Sequence, residues 1–162
     1  MVGSSSMSRE LGPRLPDDLV AFLRATEPPD KFRLVVPLTT LDADGWPRHA
    51  QLSPWEIVAC DASRLRLLVY DSSRTSANLA RDGRLSLLFL GPAWSLYVFA
   101  QARQVGPLED APGETLFEAD VRLVVEDVLA SARLTSAVTY EGDDPGMDAE
   151  RRRAVFARLL EA

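Results

Sequence analysis

Residues 72–76, Ser-Ser-Arg-Thr-Ser, place four hydroxyl groups around one guanidinium group. A serine before a helix caps it by accepting a hydrogen bond from one of the free amides of the first turn. Those amides, together with the positive end of the helix dipole, also attract anions. With Arg74 and Thr75 at that end, the pattern favours a helix start that holds a phosphate group. A well-capped surface helix with a solvated arginine is the alternative interpretation.

Two apolar segments flank this short helix and would position it. Residues 64–70 (RLRLLVY) and 84–90 (RLSLLFL) are both typical of buried strands. Gly83 ends the helix between them. This order of strand, short helix and strand resembles the flavin-binding split barrel of the pyridoxamine 5'-phosphate oxidase-like family.

In that family, the motif hydroxyl-Arg-(Lys or Thr)-x-x-(Asn or Gln)-Leu, followed by an Asp-Gly-Arg strand start, holds the phosphate of FMN. The resemblance covers about residues 32–107, and it implies a mainly β protein. The implied fold is a split, Greek-key β-barrel of about six strands with flanking α-helices. The matching residues are Ser73, Arg74, Thr75, Asn78, Leu79, Asp82, Gly83 and Arg84.

The resemblance also implies further contacts to FMN. Residues 42–47 match the family pattern D-x-x-G-x-P, which begins a hairpin arm that runs along the flavin. Arg48 on that arm would approach the phosphate, and Ser95 holds the place of a polar residue that often touches the cofactor. An ordinary hairpin with Arg48 and Gln51 in solvent is the alternative. The full set of implied cofactor contacts is Arg48, Ala50, Gln51, Leu52, Ser53, Val69, Tyr70, Ser73, Arg74, Thr75 and Ser95.

The sequence departs from the family pattern in two places. Many members carry a basic residue after the motif arginine, where this chain has Thr75, so one positive charge is missing. True pyridoxamine phosphate oxidases end in a substrate-binding segment with Trp and Arg, which residues 154–162 lack. We therefore expect that this chain does not catalyse the vitamin B6 reaction.

Other catalytic chemistries have little support in the sequence. His49 is the single histidine and Cys60 the single cysteine, which argues against a Ser-His-Asp triad, a three-histidine metal site and an internal disulfide. The sequence contains neither a P-loop nor a GxGxxG motif. No catalytic side chain can be named, which suits a flavoprotein because the flavin itself carries out electron transfer.

The 162 residues, 46% of them hydrophobic, predict one globular domain. We expect a flexible segment at 1–15 and a single FMN-binding split-barrel domain at 16–162. A net charge of −6 argues against nucleic acid as a partner. The sequence also has neither a membrane span nor a secretory signal, so we expect a cytoplasmic protein. Helices are predicted at 16–26, 114–133 and 148–160, and further strands at 32–41, 94–105 and 134–140.

The function predicted from these observations is that of an FMN-binding oxidoreductase acting on an unidentified small molecule. The resemblance implies a homodimer with the cofactor at the subunit interface. The alternatives are an F420-binding oxidoreductase of the same fold and a non-catalytic dimeric barrel that binds a ligand or a partner without any cofactor.

Overall fold

The computed structural model describes residues 8–26, 33–127, 132–141 and 145–162. These residues form eight strands and three α-helices, which confirms the mainly β class with flanking helices and corrects the expected strand number of about six. A short 3-10 helix spans Pro54–Glu56. The elements are β1 (Ser8–Gly12), α1 (Asp17–Arg24), β2 (Val36–Leu41), β3 (Pro47–Leu52), β4 (Ile57–Ala59), β5 (Arg64–Tyr70), α2 (Arg74–Arg81), β6 (Arg84–Leu90), β7 (Ser95–Pro107), β8 (Glu114–Asp127) and α3 (Pro145–Glu161).

The strands form one curled antiparallel sheet in the order β3-β2-β6-β7-β8-β5-β4. β7 lies along one edge of β8, while β5 and then β1 lie along its other edge. Alternate residues of the strands point inward, as in β2 and β6, and they build the main core. This core includes Leu38, Leu67, Leu87, Val98 and Phe117, and α1 adds Leu19 and Leu23.

The prediction of a helix at 114–133 is wrong for its first fourteen residues, which form β8. Phe117, Ala119 and Val121 are buried with the spacing of a strand. Leu116 points to the opposite face and packs in a second core under α3. Because the start of β8 is buried on both faces, its apolar residues do not alternate strictly with polar ones, and periodicity alone does not separate this spacing from that of a helix.

Residues 134–140 were also expected as a strand, but they contribute only an isolated bridge between Thr139 and Leu34. Most of their side chains are exposed, so no apolar face holds the segment to the sheet as a full strand. Ser8–Gly12, which lies in the segment expected to be loose, pairs with the end of β8. The Arg9 guanidinium forms an ion pair with Glu126 across this pairing.

The final helix, α3, is confirmed and covers the second core. Phe156 and Leu159 are fully buried there, and the ring of Phe156 meets Trp55 edge to face at 5.1 Å. Arg66 of β5 donates to the carbonyl oxygen of Leu159 at 3.2 Å, near the end of α3. The cation therefore lies at the negative end of the helix dipole and helps to hold α3 against the sheet.

Candidate functional site

The start of α2 has free hydrogen-bond donors. Ser73 has extended backbone and accepts a hydrogen bond from the amide of Ser76 at 3.0 Å. The amide of Ala77 donates to the Ser73 carbonyl at 3.3 Å. Within the described residues, the amides of Arg74 and Thr75 have no acceptor. These two amides are therefore available to an anion at the positive end of the helix.

The side chains at the start of α2 add to these donors. The Arg74 side chain is exposed and has neither an ion pair nor a hydrogen bond with any residue that the structure describes. Thr75 is half-buried, and its hydroxyl likewise has no partner in the described ranges. The Ser73 hydroxyl accepts from Ser76, so its own proton is still free to be donated. We define Ser73, Arg74 and Thr75 as the anion cradle, and its donor set suits a phosphate group.

Buried contacts to β2 fix the position of α2. The Asn78 side-chain amide donates to the Thr40 hydroxyl at 3.0 Å, and only 5% and 2% of these two residues are exposed. Leu79 packs in the main core. Arg81 donates to the Asn78 side-chain oxygen at 3.2 Å and to the Leu41 carbonyl. The motif asparagine and leucine thus hold the helix, whereas the preceding residues present the donors.

The Asp-Gly-Arg turn ends α2 in a conformation that requires glycine. Gly83 has a φ of +77°, and an added Cβ would lie 2.4 Å from the carbonyl oxygen of Ala102 on β7. The Ala102 amide donates to the Gly83 carbonyl at 2.7 Å. The Arg84 side chain donates to the Asp82 carboxylate at 2.7 Å and holds the pKa of this carboxyl at about 2. The turn therefore joins α2 tightly to β6 and β7.

Arg48 is on the same sheet face as the anchor of α2, because it lies directly opposite Thr40 in the β2–β3 pairing. Its guanidinium forms an ion pair with Asp42 at 3.0 Å and is half-exposed. The Asp42 carboxylate also accepts from the amides of Trp46 and Asp44, and these hydrogen bonds, with that from Arg48, lower its pKa. Among the described residues, Arg48 thus belongs to the hairpin turn and has no contact with the cradle.

The expected cofactor contacts on β3 lie at one end of the sheet. Ala50 is half-buried and Gln51 exposed, whereas Leu52 and Ser53 are buried. Because β3 ends the strand order, its outer backbone groups pair with no further strand in the described part of the chain. Ser53 is used locally: its hydroxyl accepts from the Trp55 amide, and its own amide donates to the carboxylate of Glu56. The backbone edge is accessible to a ligand, but the Ser53 side chain is committed to capping.

Val69 and Tyr70 lead directly into the cradle. The Ser73 amide donates to the Tyr70 carbonyl at 3.0 Å, Tyr70 is exposed, and Val69 is buried in the main core. Ser95 is half-buried at the start of β7 and lines a cavity of about 350 Å³ beside Trp94 and Asp127. None of the residues that line this cavity belongs to α2. Tyr70 therefore lies next to the cradle, whereas Ser95 lines a separate cavity.

A sequence relative decides the family of this chain. The uncharacterized protein YclD of Bacillus subtilis is 33% identical over 109 residues, which are 67% of this chain and 71% of YclD. The chain belongs to the YclD family. No protein-family model matches it.

Solved structures identify the fold of this YclD-family chain. A candidate pyridoxamine 5'-phosphate oxidase from Lactobacillus delbrueckii aligns with a TM-score of 0.57 at 19% identity, over 72% of this chain and 98% of that protein. HupZ of Group A Streptococcus aligns with a TM-score of 0.53 at 11% identity, over 78% and 100% of the two chains. An FMN-binding protein from Syntrophomonas wolfei aligns with a TM-score of 0.50 at 12% identity, over 64% and 80%. The fold is that of the pyridoxamine 5'-phosphate oxidase-like split-barrel proteins, as the motif indicates.

The described residues of this YclD-family chain hold neither a metal-binding cluster nor a membrane-spanning helix. In the described ranges, there is no group of three or more His, Cys, Asp or Glu residues that could hold a metal ion. None of the helices in the same ranges is long and apolar enough to cross a membrane. His49 lies on an exposed strand face, where its ring nitrogen bonds the Thr39 hydroxyl at 2.9 Å.

Sequence reasoning missed two polar residues of the YclD-family chain that matter for the site. Thr40 is the buried acceptor that orients Asn78, but in the sequence it is one more β-branched residue of a strand. Glu114 is the first residue of the helix predicted at 114–133, whereas in the structure it is a buried carboxyl at the first position of β8, opposite Tyr70. Only the pairing of β5 with β8 reveals this position, so no local sequence signal could have found it.

Proposed function

We propose that this chain is an FMN-binding flavoprotein that acts as an oxidoreductase on a small molecule. The observation that carries the proposal is the anion cradle at the start of α2. Its two free amides, the free guanidinium of Arg74 and the hydroxyls of Ser73 and Thr75 together form a donor set for a terminal phosphate. The split-barrel fold and an FMN-binding protein of this fold from Syntrophomonas wolfei support the same proposal.

In this proposal the cradle binds the phosphate of FMN. The outer backbone edge at Ala50, Gln51, Leu52 and Ser53 and the strand end at Val69 and Tyr70 border the ribityl chain and the ring. Arg48 joins the phosphate only by leaving its ion pair with Asp42. The isoalloxazine ring supplies the electron transfer, and the protein fixes its position and excludes water. Ser95 reaches the cofactor only if the ring extends into the cavity beside β7.

Thr75 sets the strength of phosphate binding in this proposal. A neutral hydroxyl in place of a basic side chain donates one ordinary hydrogen bond where a charge-assisted one would form. The difference is about 1–2 kcal/mol, or roughly a tenfold weaker Kd. We therefore expect FMN to bind less tightly to this chain than to relatives with two positive charges in the cradle.

We further propose a homodimer with the cofactor at the subunit interface, acting in the cytoplasm on a small-molecule substrate. Several large apolar side chains of the single chain are exposed, with exposed fractions of 71% for Trp46, 56% for Tyr70 and 49% for Val105. Exposed side chains of this size favour a protein partner where they lie together in one patch. Sedimentation equilibrium with and without FMN tests the proposal, which predicts twice the mass of the chain in both conditions.

Flavin titrations test the cradle directly. We would measure the quenching of flavin fluorescence by the full chain with FMN and with riboflavin, which differs from FMN by lacking the phosphate. Wild type should bind FMN at least about tenfold more tightly than riboflavin, because a charge-assisted bond contributes about 1.5–3 kcal/mol. Arg74→Ala should remove most of this preference while leaving riboflavin binding unchanged.

Arg122→Ala is the matched control, because Arg122 is an exposed arginine of β8 whose nearest ion-pair partner, Asp120, is 3.8 Å away. It removes the same charge far along the sheet and should keep the full preference for FMN. Equal affinities of wild type for FMN and riboflavin would contradict the cradle. Failure of both flavins to bind would overturn the proposed function.

A further inference from the structure

A small cavity lies between α3 and the start of β8. It is about 60 Å³ in volume, and its walls include Trp55, Leu68, Tyr70, Glu114, Arg151 and Val155. A cavity needs about 15 Å³ by this measure for each water molecule, so this one accommodates about four water-sized groups. The cavity therefore has room for about four non-hydrogen atoms of a ligand, and any further atoms would lie at its mouth.

Glu114 is the buried polar group of this cavity. Only 7% of the residue is exposed, and no described residue donates a hydrogen bond to its carboxylate. Burial raises the pKa of this carboxyl, the nearby Asp71 raises it further, and the charge of Arg151 opposes this shift. The two oxygens of Glu114 are not among the fully buried polar atoms, so they reach solvent through the cavity, and a donor from outside the chain can pair with them there.

The other polar groups around the cavity divide into two sets. Glu56 accepts from the Ser53 amide at 2.6 Å, and Arg152 donates to the Tyr140 hydroxyl, so both already have partners. Arg151 and the Tyr70 hydroxyl have no hydrogen-bond partner among the residues that the structure describes. Both residues are exposed, so they form the mouth of the cavity. Glu114 thus lies inside without a hydrogen-bond donor, and Arg151 lies at the rim without a hydrogen-bond acceptor, although its charge acts on Glu114.

We propose that this cavity binds a small zwitterion, whose ammonium group pairs with Glu114 inside and whose carboxylate pairs with Arg151 at the mouth. The cavity volume limits the ligand to about the size of the smallest amino acids. A simple cation would satisfy Glu114 but would meet the positive charge of Arg151. A simple anion would satisfy Arg151 but would leave the buried carboxylate without a donor.

The zwitterion site is separate from the anion cradle. Tyr70 lies at the mouth of the cavity, and its carbonyl oxygen accepts the Ser73 amide, so the two sites are neighbours along the chain. They share no side-chain donor: the cradle uses Ser73, Arg74 and Thr75, and the cavity uses Glu114 and Arg151. The proposal therefore does not depend on FMN binding, and it can be tested on the chain without added flavin.

The test is a titration of the ¹⁵N-labelled full chain with glycine, methylammonium or acetate, followed by ¹H–¹⁵N NMR. The indole N–H of Trp55, whose ring lines the cavity, reports on the site. Glycine should cause saturable shifts of this signal and of amides near 114 and 151–155. Methylammonium and acetate should each bind at least tenfold more weakly, since each makes only one of the two pairs.

Two variants and one control complete the test. Glu114→Gln keeps the shape and removes the buried charge, and Arg151→Met removes the charge of an exposed side chain. Each should weaken glycine binding at least tenfold, whereas Glu109→Gln, an exposed acid in the β7–β8 loop, should leave it unchanged. The proposal is overturned if glycine causes no saturable shift in wild type, if acetate or methylammonium binds as tightly as glycine, or if Arg151→Met binds glycine like wild type.

Discussion

The buried hydrogen bond between Asn78 and Thr40 should couple the stability of the fold to the position of the cradle. The bond is 3.0 Å long, and only 5% of Asn78 and 2% of Thr40 are exposed. Neither side chain can therefore form a hydrogen bond with water when its partner is removed. Thr40→Val keeps the shape but leaves the Asn78 amide unsatisfied. A buried donor without an acceptor costs about 1–3 kcal/mol, so we expect a loss of this size in the free energy of unfolding.

A double-mutant cycle isolates the bond. Asn78→Ala should lower the free energy of unfolding by about 2–3 kcal/mol. It removes the hydrogen bond to Thr40 and the hydrogen bond donated by Arg81, and it leaves a small void. The double variant should be more stable than the sum of the single losses predicts by about 1 kcal/mol, since the second change finds the bond already broken. Urea denaturation followed by circular dichroism gives all four values.

Thr39→Val is the matched control for Thr40→Val, because Thr39 is the neighbouring residue and its hydroxyl bonds His49 on an exposed face. It should change the free energy of unfolding by less than about 0.5 kcal/mol. Additive losses in the cycle, or a loss for Thr39→Val equal to that for Thr40→Val, would refute the reasoning that Asn78 holds α2 through this bond.

Three further predictions concern the turn, the buried acid and the cradle. In urea denaturation, Gly83→Ala should lower the free energy of unfolding more than Gly45→Ala does. Both glycines have positive φ, but of the two only Gly83 has a backbone oxygen 2.4 Å from the added Cβ. Equal losses would contradict the close approach. The raised pKa of Glu114 means that the folded state holds this proton more tightly than the unfolded chain, so its contribution to stability declines as pH rises from about 4.5. Glu114→Gln should therefore gain stability relative to wild type as the pH is raised above 4.5, and a pH-independent difference would contradict this. Thr75→Lys should lower the Kd for FMN about tenfold in the flavin titration and leave that for riboflavin unchanged; an unchanged Kd for FMN would argue against phosphate at this position.

Local chemistry explains why the cradle region was predictable from the sequence. Ser73 caps α2, Gly83 adopts the positive φ that ends it, and the strands on either side follow their apolar patterns. Each of these features depends on neighbouring residues in the chain, so the sequence contains the signal. The hairpin at 42–47 is a similar case, because Asp42 accepts from the amides of Asp44 and Trp46 within its own turn.

Long-range contacts explain what the sequence did not reveal. β8 was expected as a helix because Leu116 and Phe117 serve two different cores, one on each face, and α3 supplies the cover for one of them. Asp42 and Arg48 are close in the sequence, which is compatible with the ion pair that they form. The sequence is equally compatible with an Arg48 side chain that binds the phosphate of a cofactor. The burial of Glu114 follows from its position opposite Tyr70 and from the docking of α3, and neither appears in the local pattern.

The most direct test of the central claim is a visible absorption spectrum of the purified full chain after incubation with excess FMN and desalting. An FMN-binding chain should retain flavin bands at about 375 and 450 nm, the usual positions for any oxidised flavin. Arg74→Ala should lose these bands under the same treatment, whereas Arg122→Ala should keep them. A colourless wild-type protein would contradict the assignment of the cradle to FMN.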